Sequence, residues 1–529
     1  MTTKISFLKR PLCLALCAAL FMCALSGCRD DGGADPAPSE SVSSQTAAPV
    51  SSENEAPSLS VAISADADLN PYTSQNRLSL YIAPLVYEGL FKLSPDFTAE
   101  NLLCESFSTA DNQTFVFKIK EDVTFHSGAA MGASDAEYSI KLAMSGARSP
   151  YRKRLSCISR VRATGANELT ITLSSKNCDF PALLDVPIVR RGDGESAVPD
   201  GTGPFSPKID DDGKVSSLVL FPLWHKHADM PVDEVSLFRV SKTDELVFAI
   251  EDGDVDLVQT DKLAAAPINY RGDVETRSYP TNIMHFIGMN HKNRILSDPD
   301  MRKAIFACID RLSIINDMYS GFGDEAFCPI SSASAQFSEL SGDKKAAPDA
   351  KTVLQSAGIA DSNGDGAVEY AGADVSLSLI VNNDNPAKTA AAYAIADALT
   401  YAGIGTTVTE MWFDDFSAAV KSGAFDLYYG ETAVTPDFDI SEMISKSGKL
   451  NYGGFSSAEL LSRYDAYRAS NPSERAAARN GYIAQFLEDV PFAPILFERA
   501  AVLTRSGKVS DLVSSPGDIF YGFPSCGVK

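Results

Sequence analysis

The stretch Val375-Ser376-Leu377-Ser378-Leu379-Ile380-Val381, followed by the alanine-rich run from Lys388 to Ala402 and then Gly403, decides the fold class. Val375, Leu377, Leu379 and Val381 recur with period two, which puts them on one face of a strand. The run from Lys388 to Ala402 is made of good helix formers, and Gly403 supplies a C-terminal stop. The same alternation recurs on both sides. Asp298-Pro299 opens a predicted helix with Met301, Ile305, Cys308 and Ile309 on one face and Gly321 beyond its end. Asn471-Pro472-Ser473-Glu474 places Asn at an N-cap and Pro at the first helical position, ahead of an apolar stripe of Ile483, Phe486 and Leu487. Strand–helix alternation through residues 280–490 predicts an α/β lobe with a largely parallel sheet. Upstream, from Leu59 to about Phe180, short strand-like runs dominate, such as Phe115 to Ile119 behind the turn-prone Asp111-Asn112-Gln113.

Around that lobe the chain has 529 residues, enough for roughly two to four domains. Its 69 acidic side chains against 46 Lys+Arg give a net charge of −23. A surface of that sign excludes a nucleic-acid partner, which needs cations to displace the counterions of the phosphates. Apolar residues at 45% and charged residues at 22% make an ordinary globular balance.

The first residues differ from the body. Lys4, Lys9 and Arg10 precede an apolar run from Pro11 to Leu25, too short to span a bilayer and of the length of a secretory signal. Leu25-Ser26-Gly27-Cys28 resembles a bacterial lipobox, in which the Cys28 thiol takes the lipid. Residues 1–27 are therefore expected to be a lipoprotein signal peptide. Residues 28–57, rich in Ser, Ala, Pro, Asp and Glu, are expected to be a flexible tether holding the body, as a monomer, at the outer face of the cell membrane. Six cysteines remain beyond it: Cys104, Cys157, Cys178, Cys308, Cys328 and Cys526. An exported location permits disulfides, and the sequence does not fix a pairing.

Motifs for catalysis are missing from the sequence. There is no G-x-S-x-G, H-E-x-x-H or G-x-x-x-x-G-K-[ST], and no cofactor is expected. Gly321-Phe322-Gly323-Asp324-Glu325-Ala326 imitates a dinucleotide fingerprint but ends a helix instead of linking a strand to one, so it reads as a helix-ending loop. His225-Lys226-His227 with Asp229 nearby could offer metal ligands or form a solvated turn, and the turn is preferred, so no metal site is assigned. His126, His285 and His291 stand alone and read as structural. Asp361-Ser362-Asn363-Gly364-Asp365-Gly366 has calcium-loop spacing, yet Gly372 occupies the position that needs a bidentate Glu. An Asp/Gly turn is the alternative.

Several segments in chain order resemble the family 5 solute-binding proteins, the extracytoplasmic oligopeptide, dipeptide and nickel receptors of ATP-driven (ABC) importers. They are Leu69-Asn70-Pro71, Leu85-Val86-Tyr87-Glu88-Gly89-Leu90-Phe91, Val123 to Gly128 and Ala133-Ser134-Asp135. Gly201-Thr202-Gly203-Pro204-Phe205, Asp252 to Asp256, Met301 to Ile305 with Ile309-Asp310-Arg311, Asn451 to Phe455 and Pro491 to Phe497 follow. The resemblance covers essentially all of residues 59–529, in order. Asp122 and Ser127 depart from the family pattern at scaffold positions.

The resemblance implies a two-lobed, periplasmic-binding-protein-like α/β clamp of type II with an extra subdomain, mixed sheets flanked by helices and a two-strand hinge. Lobe one is expected at 58–84, 200–279 and 498–529, the extra subdomain at 85–199 and lobe two at 280–497. The hinge falls near Arg277 to His285 and Leu496 to Arg499. By the same resemblance, Asp437 in Thr435-Pro436-Asp437 would pair with a peptide's α-amino group. The alternative is that it caps a helix starting near Ile440. Gln75 and Arg77 would lie near the cleft. The resemblance implies an oligopeptide or peptide-like solute and an ABC permease as partners. A nickel or other metal-chelate receptor is the alternative, and a secreted lipoprotein hydrolase is a more distant one.

Overall fold

The computed structural model describes residues 57–65, 68–260, 268–342 and 346–529. The signal segment, Cys28 and the tether up to residue 56 lie outside the described residues. Among those residues an eleven-stranded sheet forms the backbone of the fold. In chain order its strands are β1 (Leu59–Ser64), β2 (Phe205–Ile209), β3 (Val215–Leu220), β4 (Glu234–Val240), β5 (Leu257–Thr260) and β6 (Val274–Met289). They continue with β7 (Gly323–Glu325), β8 (Ser376–Asn382), β9 (Gly405–Met411), β10 (Leu427–Ala433) and β11 (Phe492–Arg505). The spatial order is β9-β8-β10-β6-β11-β5-β1-β4-β3-β2, with β7 also pairing with β11.

The alternating stretch forms the predicted strand. In β8, Leu377, Leu379 and Val381 face one apolar core and Ile380 faces another, so the strand is covered on both sides. The following helix runs Pro386–Tyr401, two residues earlier than predicted, because Asn385 caps it by accepting from the Ala387 and Lys388 N–H groups. Its buried residues are Ala391, Ala392, Ile395, Ala396 and Leu399, and Gly403 closes it at φ +90°.

The sheet is less parallel than the alternation predicts. β8 pairs in parallel with β9 and β10, but β10–β6, β6–β11 and β11–β5 are antiparallel. The cause is the pair β6 and β11. These two strands, 16 and 14 residues long, run through the middle of the sheet and join its two halves.

Two helix boundaries also move. The helix capped by Asp298 ends at Cys308; after a break at Ile309 helical turns resume over Arg311–Ser313 and Ile314–Met318, and Gly321 lies beyond them at φ +78°. Ile309 turns extended there, and the buried Arg311 donates to the carbonyls of Phe306, Ile309, Ala326 and Pro494. At the break the guanidinium stands in for the helical N–H groups that these carbonyls lack. The helix expected from Asn471 starts at Arg475, because the Asn471 side chain accepts from Ser473 and Glu474 N–H groups and holds a separate turn ahead of it.

Residues 104–173 add a four-stranded antiparallel sheet in the order Cys104–Thr109, Thr114–Ile119, Glu168–Leu173 and Ile158–Ala163. Phe115, Phe117, Leu169 and Ile171 point into the same core as β1 and β2. All six cysteines of the described body are unpaired. No helix among the described residues is long and apolar enough to cross a membrane.

Candidate ligand-binding cleft

The ladder between β6 and β11 is continuous from Val274 to Pro280, breaks, and resumes at Met284 opposite Phe497. Thr281, Asn282 and Ile283 fill the break. The Thr281 hydroxyl donates to the Glu498 carbonyl at 2.8 Å, and the Asn282 amide donates to the Val434 carbonyl. Asn282 borders two adjoining chambers at this break, and Thr281 borders one of them.

The upper chamber, of about 440 Å³, is lined by Tyr87, Glu88, Arg154, Trp224, Asn282, Thr435 and Asp518. The lower chamber, of about 340 Å³, is lined by Arg77, Tyr279, Thr281, Asn282, Glu498 and Arg499. Leu80, Arg154, Asp185, Asn282 and Pro436 border both, so the two form one cleft.

Glu88 anchors the upper chamber. Its buried carboxylate accepts from the Trp224 indole at 3.2 Å and the Thr202 hydroxyl at 3.1 Å, and the His225 Nε2 lies 3.0 Å away. That contact explains the His225-Lys226-His227 stretch: His225 is committed to Glu88, and His227 sits in an exposed turn at φ +46°. Asp518, on the chamber wall, is pushed up to about 6 by burial. Arg154 pairs with Asp185 at 2.8 Å.

The residues singled out in the sequence fall in different places. Arg77 lines the lower chamber and Thr435 the upper one, where its hydroxyl is buried without a partner. Gln75 borders neither chamber; its amide donates to the Arg148 carbonyl at 3.0 Å. Asp437 lies behind the wall, 2% exposed. Its Oδ2 accepts from Arg468 at 2.7 Å and from Asn177 at 2.8 Å, while its Oδ1 is buried and unpartnered. Burial opposes the Arg468 charge, yet Tyr464, Asp437 and Asp439 hold its pKa well above the ordinary value. Asp437 does not cap the helix at Ser441–Ile444. The helix's N-cap is Ile440, and Asp439 just before it accepts from the Ser441 N–H at 2.7 Å.

His285 does not stand alone, contrary to its reading in the sequence. It is fully buried, with Nε2 2.7 Å from Glu498 and Nδ1 3.1–3.2 Å from the Tyr429 and Tyr319 hydroxyls. Among the described residues, His285, Glu431 and Glu498 form a group close enough to hold a metal ion. Its atoms are already occupied, since Lys388 pairs with Glu431 and Glu498 pairs with His285. Strands distant in sequence assemble this group, so no local spacing announces it. His126 and His291 keep the structural role expected of them: burial holds both below the ordinary pKa, His291 at about 4, and each bonds a carbonyl. The Asp361–Gly366 loop is a turn. Asp361 accepts from the Gly364, Asp365 and Gly366 N–H groups, so its oxygens face the loop's own backbone.

A sheet built of two halves, joined by two long strands and opening beside them into a cleft, is the fold of the periplasmic-type binding proteins. The chain belongs to the bacterial extracellular solute-binding proteins, family 5, whose middle-region model matches residues 98–451. Members of that family are transport receptors, not enzymes. The oligopeptide-binding protein AppA of Bacillus subtilis (strain 168) is 25% identical over 470 residues, 80% of this chain and 82% of that protein. The glutathione-binding protein GsiB of Escherichia coli (strain K12) is 22% identical over 49% of this chain and 53% of its own length. Among solved structures, the unliganded open form of MppA, a periplasmic murein tripeptide binding protein, matches with a TM-score of 0.73 at 17% identity, over 90% of this chain and 98% of that one. The nickel ABC transporter protein of Bacillus halodurans matches with a TM-score of 0.72 at 20% identity, over 89% of this chain and 100% of that one.

Proposed function

We propose that the protein is a lipid-anchored receptor, held through Cys28, that captures a peptide or peptide-like solute and passes it to an ABC permease. The observation that carries this reading is the two-chambered cleft beside the Pro280–Met284 break. A ladder interrupted at Pro280–Met284, with a second register shift at His285–Phe286, lets two halves swing with few hydrogen bonds lost, which is the requirement for closure about a hinge. In this reading lobe one comprises 58–84, 200–279 and 498–529, the extra subdomain 85–199 and lobe two 280–497, and the receptor acts as a monomer. Similarity to an oligopeptide-binding protein along most of the chain supports the solute class. Arg77 and Thr435 contact the solute from the cleft walls. Asp437 receives an ammonium on its unpartnered Oδ1 while Oδ2 stays on Arg468 and Asn177.

A nickel-chelate receptor is the second reading. The relatives with nickel-protein structures and the placement of Glu498, with His285 behind it, on the lower chamber favour it. The commitment of His225 to Glu88 removes the ligand pair that the sequence offered.

Thermal unfolding of the full chain against pooled di- to hexapeptides, nickel–histidine and sugars tests the proposal. A ligand that binds only the folded state at 100 times its Kd adds about 2.7 kcal/mol. A rise in Tm with the peptide pool is expected. A rise with nickel–histidine alone would move the assignment to the second reading, and no rise with either would overturn both.

A further inference from the structure

The run from Tyr138 to Asn167 carries Lys141, Arg148, Arg152, Lys153, Arg154, Arg160 and Arg162 without an Asp or Glu, in a chain whose net charge is −23. The fold divides these cations. Arg154 pairs with Asp185 at 2.8 Å, and both Lys153 and Arg154 border the upper chamber of the cleft. The other five are exposed and border neither chamber.

Those five gather on one flank of the subdomain. The helix Ala133–Ser145 packs beside Ile158–Ala163, the edge strand of the four-stranded sheet, and Lys141, Arg160 and Arg162 line an open groove of about 700 Å³ between them. Arg160 and Arg162 are two apart on a strand, so they share a face. Directly across from them stand Thr172 and Thr170, which carry no charge. Glu137 also lines the groove, but its carboxylate is committed to Lys141 and to the Ala163 N–H, the latter at 2.8 Å. The connection from the helix to the strand adds Arg148 and Arg152. Among the described residues no carboxylate forms an ion pair with Arg148, Arg152, Arg160 or Arg162.

Like charges side by side on a strand are destabilising, and nothing within the protein offsets these. Screening confines each charge to about 8–10 Å, so the acidic remainder of the molecule does not cancel the patch. Guanidinium groups suit phosphate oxygens, which they grip in pairs. Exposed side chains spread along an open flank fit an array of phosphates better than one enclosed ion.

We propose that this flank is a membrane-docking surface, on which Lys141, Arg148, Arg152, Arg160 and Arg162 contact the phosphates of anionic phospholipid headgroups. The proposal rests on the lipid-anchored reading given above, which keeps the body beside a bilayer. An anionic bilayer attracts this flank and repels the acidic remainder, so the contact sets which side of the tethered body faces the membrane.

Vesicle co-sedimentation tests the surface. The full chain is used with Cys28→Ser, so that no attached acyl chain contributes. It is compared with the same chain carrying Arg148→Gln, Arg152→Gln, Arg160→Gln and Arg162→Gln, whose melting temperature shows that it folds. The vesicles are phosphatidylcholine alone or mixed with phosphatidylglycerol. The unaltered flank is expected to partition about tenfold more strongly onto the anionic vesicles, with the preference fading as salt rises and lost in the four-Arg variant. Equal partition onto both vesicles, or a preference that the variant retains, would overturn the proposal. Binding of soluble polyphosphate without any preference for anionic vesicles would overturn the lipid assignment as well. Mass spectrometry of the native chain from its membrane decides the anchor separately. An unmodified Cys28 would overturn the lipid-anchored reading, while the vesicle result, obtained without the anchor, still decides the flank.

Discussion

The Arg468 guanidinium lies 2.7 Å from the Asp437 carboxylate, and both side chains are almost wholly buried, at 8% and 1% exposure. Removing one member of such a pair strands the other charge in a medium of low dielectric. Asp437→Ala is therefore expected to lower unfolding stability by about 3–5 kcal/mol, towards the smaller figure because Asp439 also faces Arg468. Denaturant unfolding measures it. Arg468→Met in the Asp437→Ala background should recover part of the loss, because no unpaired charge remains. A single variant as stable as wild type would show that the pair is not formed in solution.

Glu498 bridges the cleft and the buried histidine. It lines the lower chamber, and its Oε1 lies 2.7 Å from His285 Nε2. Glu498→Ala leaves that nitrogen in a site with no exposure, which is expected to cost about 1–3 kcal/mol. Glu498→Gln keeps a hydrogen-bonding partner and should cost less. Equal losses for the two variants would mean that the carboxylate charge, not the bond, is what His285 needs.

Much of this architecture was legible from single residues. Val375, Leu377, Leu379 and Val381 fixed a strand, and Gly403 fixed the end of the helix after it, because period and αL preference act over a few residues. What was not legible depends on distance. The antiparallel seam of β6 and β11 pairs residues more than two hundred positions apart, such as Tyr279 with Ala500. The early end of the helix at Cys308 depends on Arg311 reaching the carbonyl of Pro494. His285 read as solitary because Glu431 and Glu498 reach it from other strands. The cleft followed the same division: Thr435 and Arg77 border its chambers, whereas Glu88 is held there by Thr202, Trp224 and His225 from more than a hundred positions away.

The pH profile of stability should carry a signature of Asp518. Burial raises its folded pKa to about 6 from an ordinary 3.8, so between those values the folded state binds more protons than the unfolded one. Its contribution to stability is complete below pH 3.8 and is lost as the pH rises through about 6. Asp518→Asn removes the effect. The stability difference between wild type and variant should shift against the wild type across that window by of the order of 2 kcal/mol, as seen in urea unfolding at a series of pH values. A difference that does not vary between pH 4 and 6.5 would place the Asp518 carboxyl in water.

The six body cysteines should resist alkylation. Burial pushes Cys104, Cys157, Cys178 and Cys328 up to about 12 and Cys308 and Cys526 up to about 11. The thiolate is the reactive form, so it is scarce at pH 8 in every one of them. Iodoacetamide followed by mass spectrometry should find these six largely unmodified in the folded protein and fully modified in guanidinium chloride. Loss of two reactive sites in the denatured, unreduced protein would instead reveal a disulfide.

The last prediction concerns how residues 85–199 are held against the segment 437–475. Asn112 donates to the carbonyls of Ala469 and Ser470, Asn177 to Asp437, and the Cys178 N–H to the Arg468 carbonyl. The Phe97 ring packs against Phe438, with centroids 5.1 Å apart. In the proposed clamp these contacts tie the extra subdomain to lobe two, so they bear on the balance between open and closed forms. Asn112→Ala and Asn177→Ala each remove side-chain bonds from that tie, and a hydrogen bond contributes about 0.5–1.5 kcal/mol, more when the acceptor is charged. The double variant should therefore shift the population towards the open form, seen as a larger radius of gyration in small-angle scattering. It should also weaken solute binding by the fraction of closed form lost, about tenfold for a 1.4 kcal/mol shift when the closed form is the one that binds. If scattering and affinity both stay at wild-type values while stability falls, the tie serves folding alone, and closure is governed at the Pro280–Met284 break.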